Sequence, residues 1–97
     1  MNGSDSLVLD IGGDIGALVI HAGSDLLETQ IEISPAASPG GKRTHNVVHA
    51  RRNPHGVRYS AVFPDVPAGD YVIWRNATTP DATVTVRGGQ VTEHHRD

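Results

Sequence analysis

The 97-residue chain contains no cysteine, which excludes disulfide bonds and zinc sites built on thiolate ligands. Aromatic residues are scarce, with one Trp, two Tyr and one Phe, so the core must consist mainly of Val, Ile, Leu and Ala. Long apolar runs are also missing, and a run such as residues 17–20 is far too short to cross a bilayer. Because the first residues carry no secretion signal, we expect a cytoplasmic protein with no membrane partner.

A strong excess of charge of one sign is absent as well. The formal net charge is −3, and the eight basic residues are scattered along the chain, which argues against a nucleic-acid partner. A chain of this length has room for one hydrophobic core. We therefore expect a single β-sandwich domain that spans residues 1–97.

Apolar and polar residues alternate with a period of two in most segments, which is typical of β-strands with one buried face. The alternating sets are Leu7, Leu9 and Ile11; Thr29, Ile31 and Ile33; and Val57, Tyr59, Ala61 and Phe63. Residues 17–20 predict a central strand, and further short strands are expected within residues 44–52, 71–75, 82–87 and 91–94. Since strands recur about every 8–12 residues, we expect an all-β antiparallel sandwich of about seven or eight strands, with no helix longer than about two turns.

Glycine, proline and asparagine mark the connections between these strands. Residues 34–42, rich in Pro, Gly, Ser and Ala, predict a mobile surface loop, and residues 53–56 predict a turn. Gly12, Gly13 and Asp14 predict a hairpin turn rather than a phosphate-binding loop, because no helix follows them.

Residues 62–74, VFPDVPAGDYVIW, place two prolines and a glycine between two apolar runs. Pro64 and Pro67 lack the N–H group that a β-ladder needs, so we expect the sheet to stop after Phe63. The glycine permits a sharp turn, after which Tyr71 begins a new strand with its ring in the core and its hydroxyl free to bond a loop carbonyl. The segment therefore predicts a corner between two strands, with Phe63 and Tyr71 both buried.

Residues 59–63, YSAVF, and 66–73, VPAGDYVI, resemble the strand–loop–strand signature of prealbumin-like β-sandwich domains. These include transthyretin, carboxypeptidase regulatory domains and Cna-B-type repeats. The resemblance implies the fold but no activity, since carriers, enzymes and adhesive repeats share it. Over most of its length the chain is also similar to short single-domain actinobacterial proteins with no assigned function.

The residues do not support the chemistry that is known in this fold. Transthyretin-related hydroxyisourate hydrolases carry a His where this chain has Leu7, and they end in Tyr-Arg-Gly-Ser where it ends in HHRD. The isopeptide bond of Cna-B-type repeats needs a buried lysine, but Lys42 lies in the predicted loop. No serine stands in a Gly-x-Ser-x-Gly elbow. We therefore expect that the protein is not an enzyme, and a hydrolase of unrecognised type is an alternative.

Histidine is the one residue type in conspicuous excess, with six in the chain. His45 and His49 have H-x3-H spacing, but on a strand they lie about 13 Å apart and cannot share an ion. A metal site would need three converging ligands, with cross-strand help from His21 or from the tail pair His94 and His95. We expect no cofactor, and transition-metal binding through His21, His45 and His49 is the alternative.

Trp74 is the only tryptophan. If Tyr71 points inward, the pleat sends Val72 and Trp74 to the opposite face of the strand. Together with Val62 they would form an apolar patch for a protein partner or a twofold dimer, unless the loop over residues 76–81 covers Trp74. The sequence thus predicts a small cytoplasmic, non-enzymatic binding or assembly module that docks a protein partner or a second copy of itself.

Overall fold

The computed structural model describes residues 11–38 and 40–96, and this part of the chain forms a sandwich of two four-stranded β-sheets. The strands are β1 (Ile15–Ala22), β2 (Gln30–Pro35), β3 (Thr44–Val47), β4 (His49–Asn53), β5 (Gly56–Pro67), β6 (Gly69–Trp74), β7 (Pro80–Val86) and β8 (Val91–His95). Among these residues the only helical element is a short 3-10 turn over Ser24–Leu26, and none could cross a membrane as a helix. The all-β prediction is confirmed; the strand expected at Leu7 and Leu9 lies outside the described residues.

The first sheet has the order β4–β5–β1–β8, and the second has the order β3–β2–β6–β7. Neighbouring strands run antiparallel except β1 and β8, which run parallel. The expected purely antiparallel sandwich is therefore corrected at one pairing, because the connection after β7 returns the chain to the first sheet in the direction of β1. The predicted central strand at residues 17–20 is confirmed, since β1 lies between β5 and β8.

The core lies between the two sheets and is mostly aliphatic. Its buried members are Leu18, Ile20, Ile31, Ile33, Val48, Ala61, Phe63, Val66, Tyr71, Ile73 and Val86. Because side chains alternate between the two faces of a strand, most strands supply every second residue to this layer. Each fully buried Leu, Ile or Phe stabilises the fold by about 1.5–3 kcal/mol. The burial predicted for Phe63 and Tyr71 is confirmed.

The prediction that the sheet stops after Phe63 is wrong, because β5 continues to Pro67. The reason is a register shift between β1 and β5, where Pro64 and Asp65 together face a single residue of β1. A residue in such a β-bulge is not part of the regular ladder, so a proline there breaks no ladder hydrogen bond. The corner consequently follows Pro67 and not Phe63.

Tyr71 holds this corner together. Its ring is buried, and its hydroxyl donates a hydrogen bond to the carbonyl oxygen of Pro67 at 2.6 Å, as predicted. Gly69, between them, has a φ of +152°, which residues with a Cβ rarely adopt. Burial also raises the pKa of the Tyr71 phenol above its ordinary value, because the charged phenolate is disfavoured away from water.

The raised pKa of Tyr71 predicts a loss of stability at alkaline pH. Below the unfolded-state pKa of about 10, the preference of the folded chain for the neutral phenol contributes fully to stability. This contribution is lost as the pH rises through the higher folded-state pKa. In urea unfolding, the stability advantage of wild type over Tyr71→Phe should therefore shrink above about pH 10. An advantage that stays constant across that range would contradict the assignment.

Residues 44–52, expected as one strand, divide into β3 in the second sheet and β4 in the first. Val48 lies at the crossing and is fully buried. Its N–H donates to the carbonyl of Thr29 at 3.0 Å, and its carbonyl accepts from Glu28 at 2.8 Å. The crossing therefore leaves neither backbone group of Val48 unpaired, and one polar segment can supply an edge strand to each sheet.

The loop predicted at residues 34–42 begins later than expected. Ser34 and Pro35 belong to β2, and the buried Ser34 side chain accepts a hydrogen bond from the Trp74 indole. The mobility of the remaining loop stays a prediction.

A buried ion pair ties the C-terminal part of the first sheet to the second sheet. Arg96, which follows β8, places its Nε 4.0 Å from Oδ2 of Asp81 on β7. Their side chains are only 7% and 10% exposed. Asp81 also accepts a hydrogen bond from Arg75, and the Arg96 N–H donates to the carbonyl of His21 at 2.8 Å. Asp81 thus faces a largely desolvated guanidinium group at the limit of ion-pair distance, and Nε of Arg96 has no hydrogen-bond partner among the described residues.

Gly88, in the turn between β7 and β8, lies directly against the backbone of Gly13. A Cβ at Gly88 would stand 1.8 Å from the Gly13 carbonyl oxygen, whereas a Cβ at Gly40 would meet nothing within 4 Å. We expect Gly88→Ala to destabilise the chain by about 1–3 kcal/mol, the usual effect of overpacking, and Gly40→Ala to be nearly neutral. Thermal unfolding of both variants tests this, and equal midpoints would show that the close approach is not required.

Candidate binding face on the first sheet

The outer face of the first sheet carries charged and histidine side chains around a small apolar floor. We call it the histidine–arginine face; its residues are Val19, His21, Arg51, Arg52, Arg58, Ser60, Val62, Glu93 and His95. It exists because Leu18 and Ile20 turn into the core, so that the alternate residues of β1 turn outward.

The floor of this face is a pair of valines. Val19 on β1 and Val62 on β5 are direct cross-strand partners, and Val62 is only 7% exposed although it lies outside the core. They line a shallow depression of about 300 Å³, whose rim is formed by charged side chains of β4, β5 and β8. Such a depression offers an apolar contact inside a polar rim, which is the usual layout of a protein interface.

Three arginines stand on the rim, and none of them has a carboxylate partner among the described residues. Arg51 on β4 and Arg58 on β5 are direct cross-strand partners, and Arg52 adjoins them. Within residues 11–38 and 40–96, no carboxylate lies within 4.0 Å of any of the three, whereas Arg43 and Arg75 each have one. The face therefore holds concentrated positive charge on a chain whose net charge is −3.

Arg51 is held in place by a buried hydroxyl. Its Nε donates to Oγ of Ser60 at 3.0 Å, and Ser60 is almost fully buried. The described residues provide no partner for the two terminal nitrogens of Arg51. An arginine fixed through Nε keeps its terminal N–H groups available for a bidentate bond to a carboxylate or phosphate.

The parallel pairing of β1 and β8 brings two histidines together. His21 and His95 are register partners, and their rings stack with centroids 4.7 Å apart and an interplanar angle of 19°. Nε2 of His21 also lies 2.7 Å from Oε1 of Glu93. The Glu93 carboxylate is thereby engaged on the β8 side of the face, away from the arginines of β4.

The structure does not bring the predicted metal candidates together. His21 lies on β1, His45 on β3 in the second sheet, and His49 on β4 at the edge of the first. In the described part of the chain, no three His, Asp or Glu side chains are arranged to hold a metal ion. The stacked rings of His21 and His95 do not converge on a common point, unlike the ligands of a tetrahedral site.

The predicted partner-binding residues fall on two different sheets. Val72 and Trp74 lie on the outer face of β6 in the second sheet, here called the tryptophan face, whereas Val62 lies on β5 in the first. The three residues therefore do not form one patch. The expectation of a joint apolar surface fails because sequence spacing does not reveal which strands share a sheet.

Trp74 already makes contacts within its own chain. Its Nε1 donates to Oγ of Ser34 at 2.8 Å, and the Arg43 guanidinium lies 3.7 Å from the ring centroid. Arg43 in turn donates to the carbonyl oxygen of Ala77 at 2.8 Å and pairs with Glu32 at 2.9 Å. The ring is thus partly covered by an arginine that the loop between β6 and β7 holds in place.

Sequence reasoning missed the arginines of the histidine–arginine face. The signal was present, because a tight turn over residues 53–56 makes Arg51 the cross-strand partner of Arg58.

Comparisons with known proteins add no assignment: no family model matches the chain, and no curated protein or solved structure is significantly similar to it.

Proposed function

We propose that this chain is a small, cytoplasmic, non-enzymatic binding module that docks a protein partner through the histidine–arginine face. The observation that carries the proposal is the facing pair Arg51 and Arg58, which has no carboxylate within 4.0 Å among the described residues. Like charges directly opposite each other on neighbouring strands destabilise a sheet. A partner that neutralises them removes this penalty on binding.

The apolar floor supports the same proposal. The depression that Val19 and Val62 floor is also lined by three arginines, and arginine is enriched in the binding hot spots of protein interfaces. The valines would contribute area removed from water, and the arginines would contribute orientation and specificity.

The tryptophan face is the weaker candidate for docking or for a twofold dimer. The indole N–H of Trp74 has a partner in Ser34, and one face of its ring carries Arg43. A partner seated there would have to displace a cation–π contact, which is worth about 0.5–1 kcal/mol at an exposed site. A partner that binds the arginines of the first sheet would not have to break this cation–π contact.

For the fold we propose the prealbumin-like class. The support is the corner motif at residues 59–73, together with the Tyr71 hydroxyl that bonds back to Pro67. Fold membership adds nothing to the functional argument, since this class hosts unrelated functions.

Site-specific photo-crosslinking tests the docking face. The residue p-benzoylphenylalanine replaces Arg52 on the histidine–arginine face, or Thr83 beside Val72 on the tryptophan face as a matched control. After irradiation in the cells that make the protein, we expect a discrete protein adduct from the Arg52 position and little from Thr83. Adducts from Thr83 alone, or from neither position, would refute the proposal. An adduct with the mass of two chains from Arg52 would identify a second copy as the partner.

A further inference from the structure

We infer that the histidine–arginine face binds an acidic peptide segment in extended conformation, one that also carries an apolar side chain. This inference rests on the proposed function and names the chemistry of the partner. Among the described residues, the face carries Arg51, Arg52 and Arg58 and one carboxylate, that of Glu93, which contacts His21. The complementary ligand is therefore anionic.

The arrangement along β5 gives the spacing of the ligand. Arg58 and Val62 lie on the same strand and the same face, four residues apart, which corresponds to about 13 Å. An extended peptide that lies along β5 would place an acidic residue over Arg58 and Arg51 and an apolar residue, four positions away, over Val62 and Val19. Both contacts come from one side of the peptide because side chains alternate.

The surroundings favour a peptide over a nucleic acid. Single-stranded nucleic acids bind to basic grooves that also offer aromatic side chains for base stacking. The residues of the histidine–arginine face include no Trp, Tyr or Phe, and the rings of His21 and His95 are already stacked on each other. The net charge of −3 would also repel a long polyanion, whereas a short acidic segment meets only the local arginines.

The test uses fluorescence anisotropy with two fluorescein-labelled peptides, SEEETSLS and its amide analogue SQQQTSLS. We expect the acidic peptide to bind wild type at least about tenfold more tightly than the amide analogue, and to weaken as salt is raised. The double variant Arg51→Gln, Arg58→Gln should lose this preference. Arg87→Gln, which removes an exposed arginine in the β7–β8 turn, should retain it to within about twofold.

The double variant removes a like-charge pair but also the hydrogen bond from Arg51 to Ser60, so its thermal unfolding is measured beside its binding. Arg58→Gln alone keeps that hydrogen bond, and it should weaken the preference for the acidic peptide without lowering the unfolding temperature. The inference is overturned if both peptides bind equally, if the double variant keeps the preference, or if an oligothymidylate binds more tightly than the acidic peptide. A crosslinked partner at Arg52 without acidic-peptide binding would remove this inference and leave the proposed function. Acidic-peptide binding without any crosslinked protein would support the acidic preference and count against the proposed function.

Discussion

Tyr71→Ala should lower the free energy of unfolding by about 3–5 kcal/mol, as expected for truncating a large buried aromatic residue. Two losses combine in this variant. The ring leaves a cavity beside Ile73 and Val66 in the core, and the carbonyl of Pro67 loses its hydrogen bond from the Tyr71 hydroxyl. Urea unfolding at neutral pH measures the effect. For a domain of 97 residues this is a large part of the total stability.

Tyr71→Phe is the matched control, since it keeps the ring and removes only the hydroxyl. It should cost about 0.5–1.5 kcal/mol, the net worth of one hydrogen bond. If Tyr71→Ala unfolded at nearly the same urea concentration as wild type, the corner would not be anchored by this side chain. If the Phe and Ala variants were equally unstable, the hydroxyl rather than the ring would hold the corner.

Asp81→Ala should be similarly damaging, with a loss of about 3–5 kcal/mol. The physical reason is that Arg96 remains buried with no carboxylate within 4.0 Å among the described residues once Asp81 is removed. An unpaired buried charge is far more costly than the pair itself is favourable. The same variant also releases Arg75, but that side chain is half exposed and contributes less.

Two further variants separate the buried pair from ordinary surface charge. The Glu32 carboxylate, which pairs with Arg43, is 38% exposed. Glu32→Ala breaks this ion pair and should cost at most about 1 kcal/mol of stability. Asp81→Ala combined with Arg96→Met removes both buried charges and should recover part of the loss. A double variant as unstable as Asp81→Ala alone would show that the buried guanidinium is not the source of the damage.

The sequence predicts a structural feature correctly where that feature depends on one short segment of the chain. The continuous apolar run at residues 17–20 predicts a central strand, and β1 lies between β5 and β8. The PAGDY segment predicts the buried ring of Tyr71 and its hydroxyl bond, because glycine turns the chain back on the preceding proline. These features depend on neighbouring residues only.

Strand neighbours could not be read in the same way. The parallel alignment of β8 with β1, the sheet exchange at Val48 and the extension of β5 through Pro64 all depend on pairings between distant segments. A period-two pattern identifies the buried face of a strand but not its partner. The contact of His21 with His95 and the separation of Val62 from Trp74 therefore became visible only in three dimensions.

The most direct test of the docking face is residue-by-residue mapping of the bound surface by nuclear magnetic resonance. Backbone amide shifts of the 15N-labelled chain are recorded during titration with the peptide SEEETSLS. We predict shift changes concentrated at Val19, Arg51, Arg58 and Val62 on the first sheet, with Thr83 on the second sheet unaffected. Shift changes centred on the second sheet, or an unchanged spectrum at saturating peptide, would contradict the account.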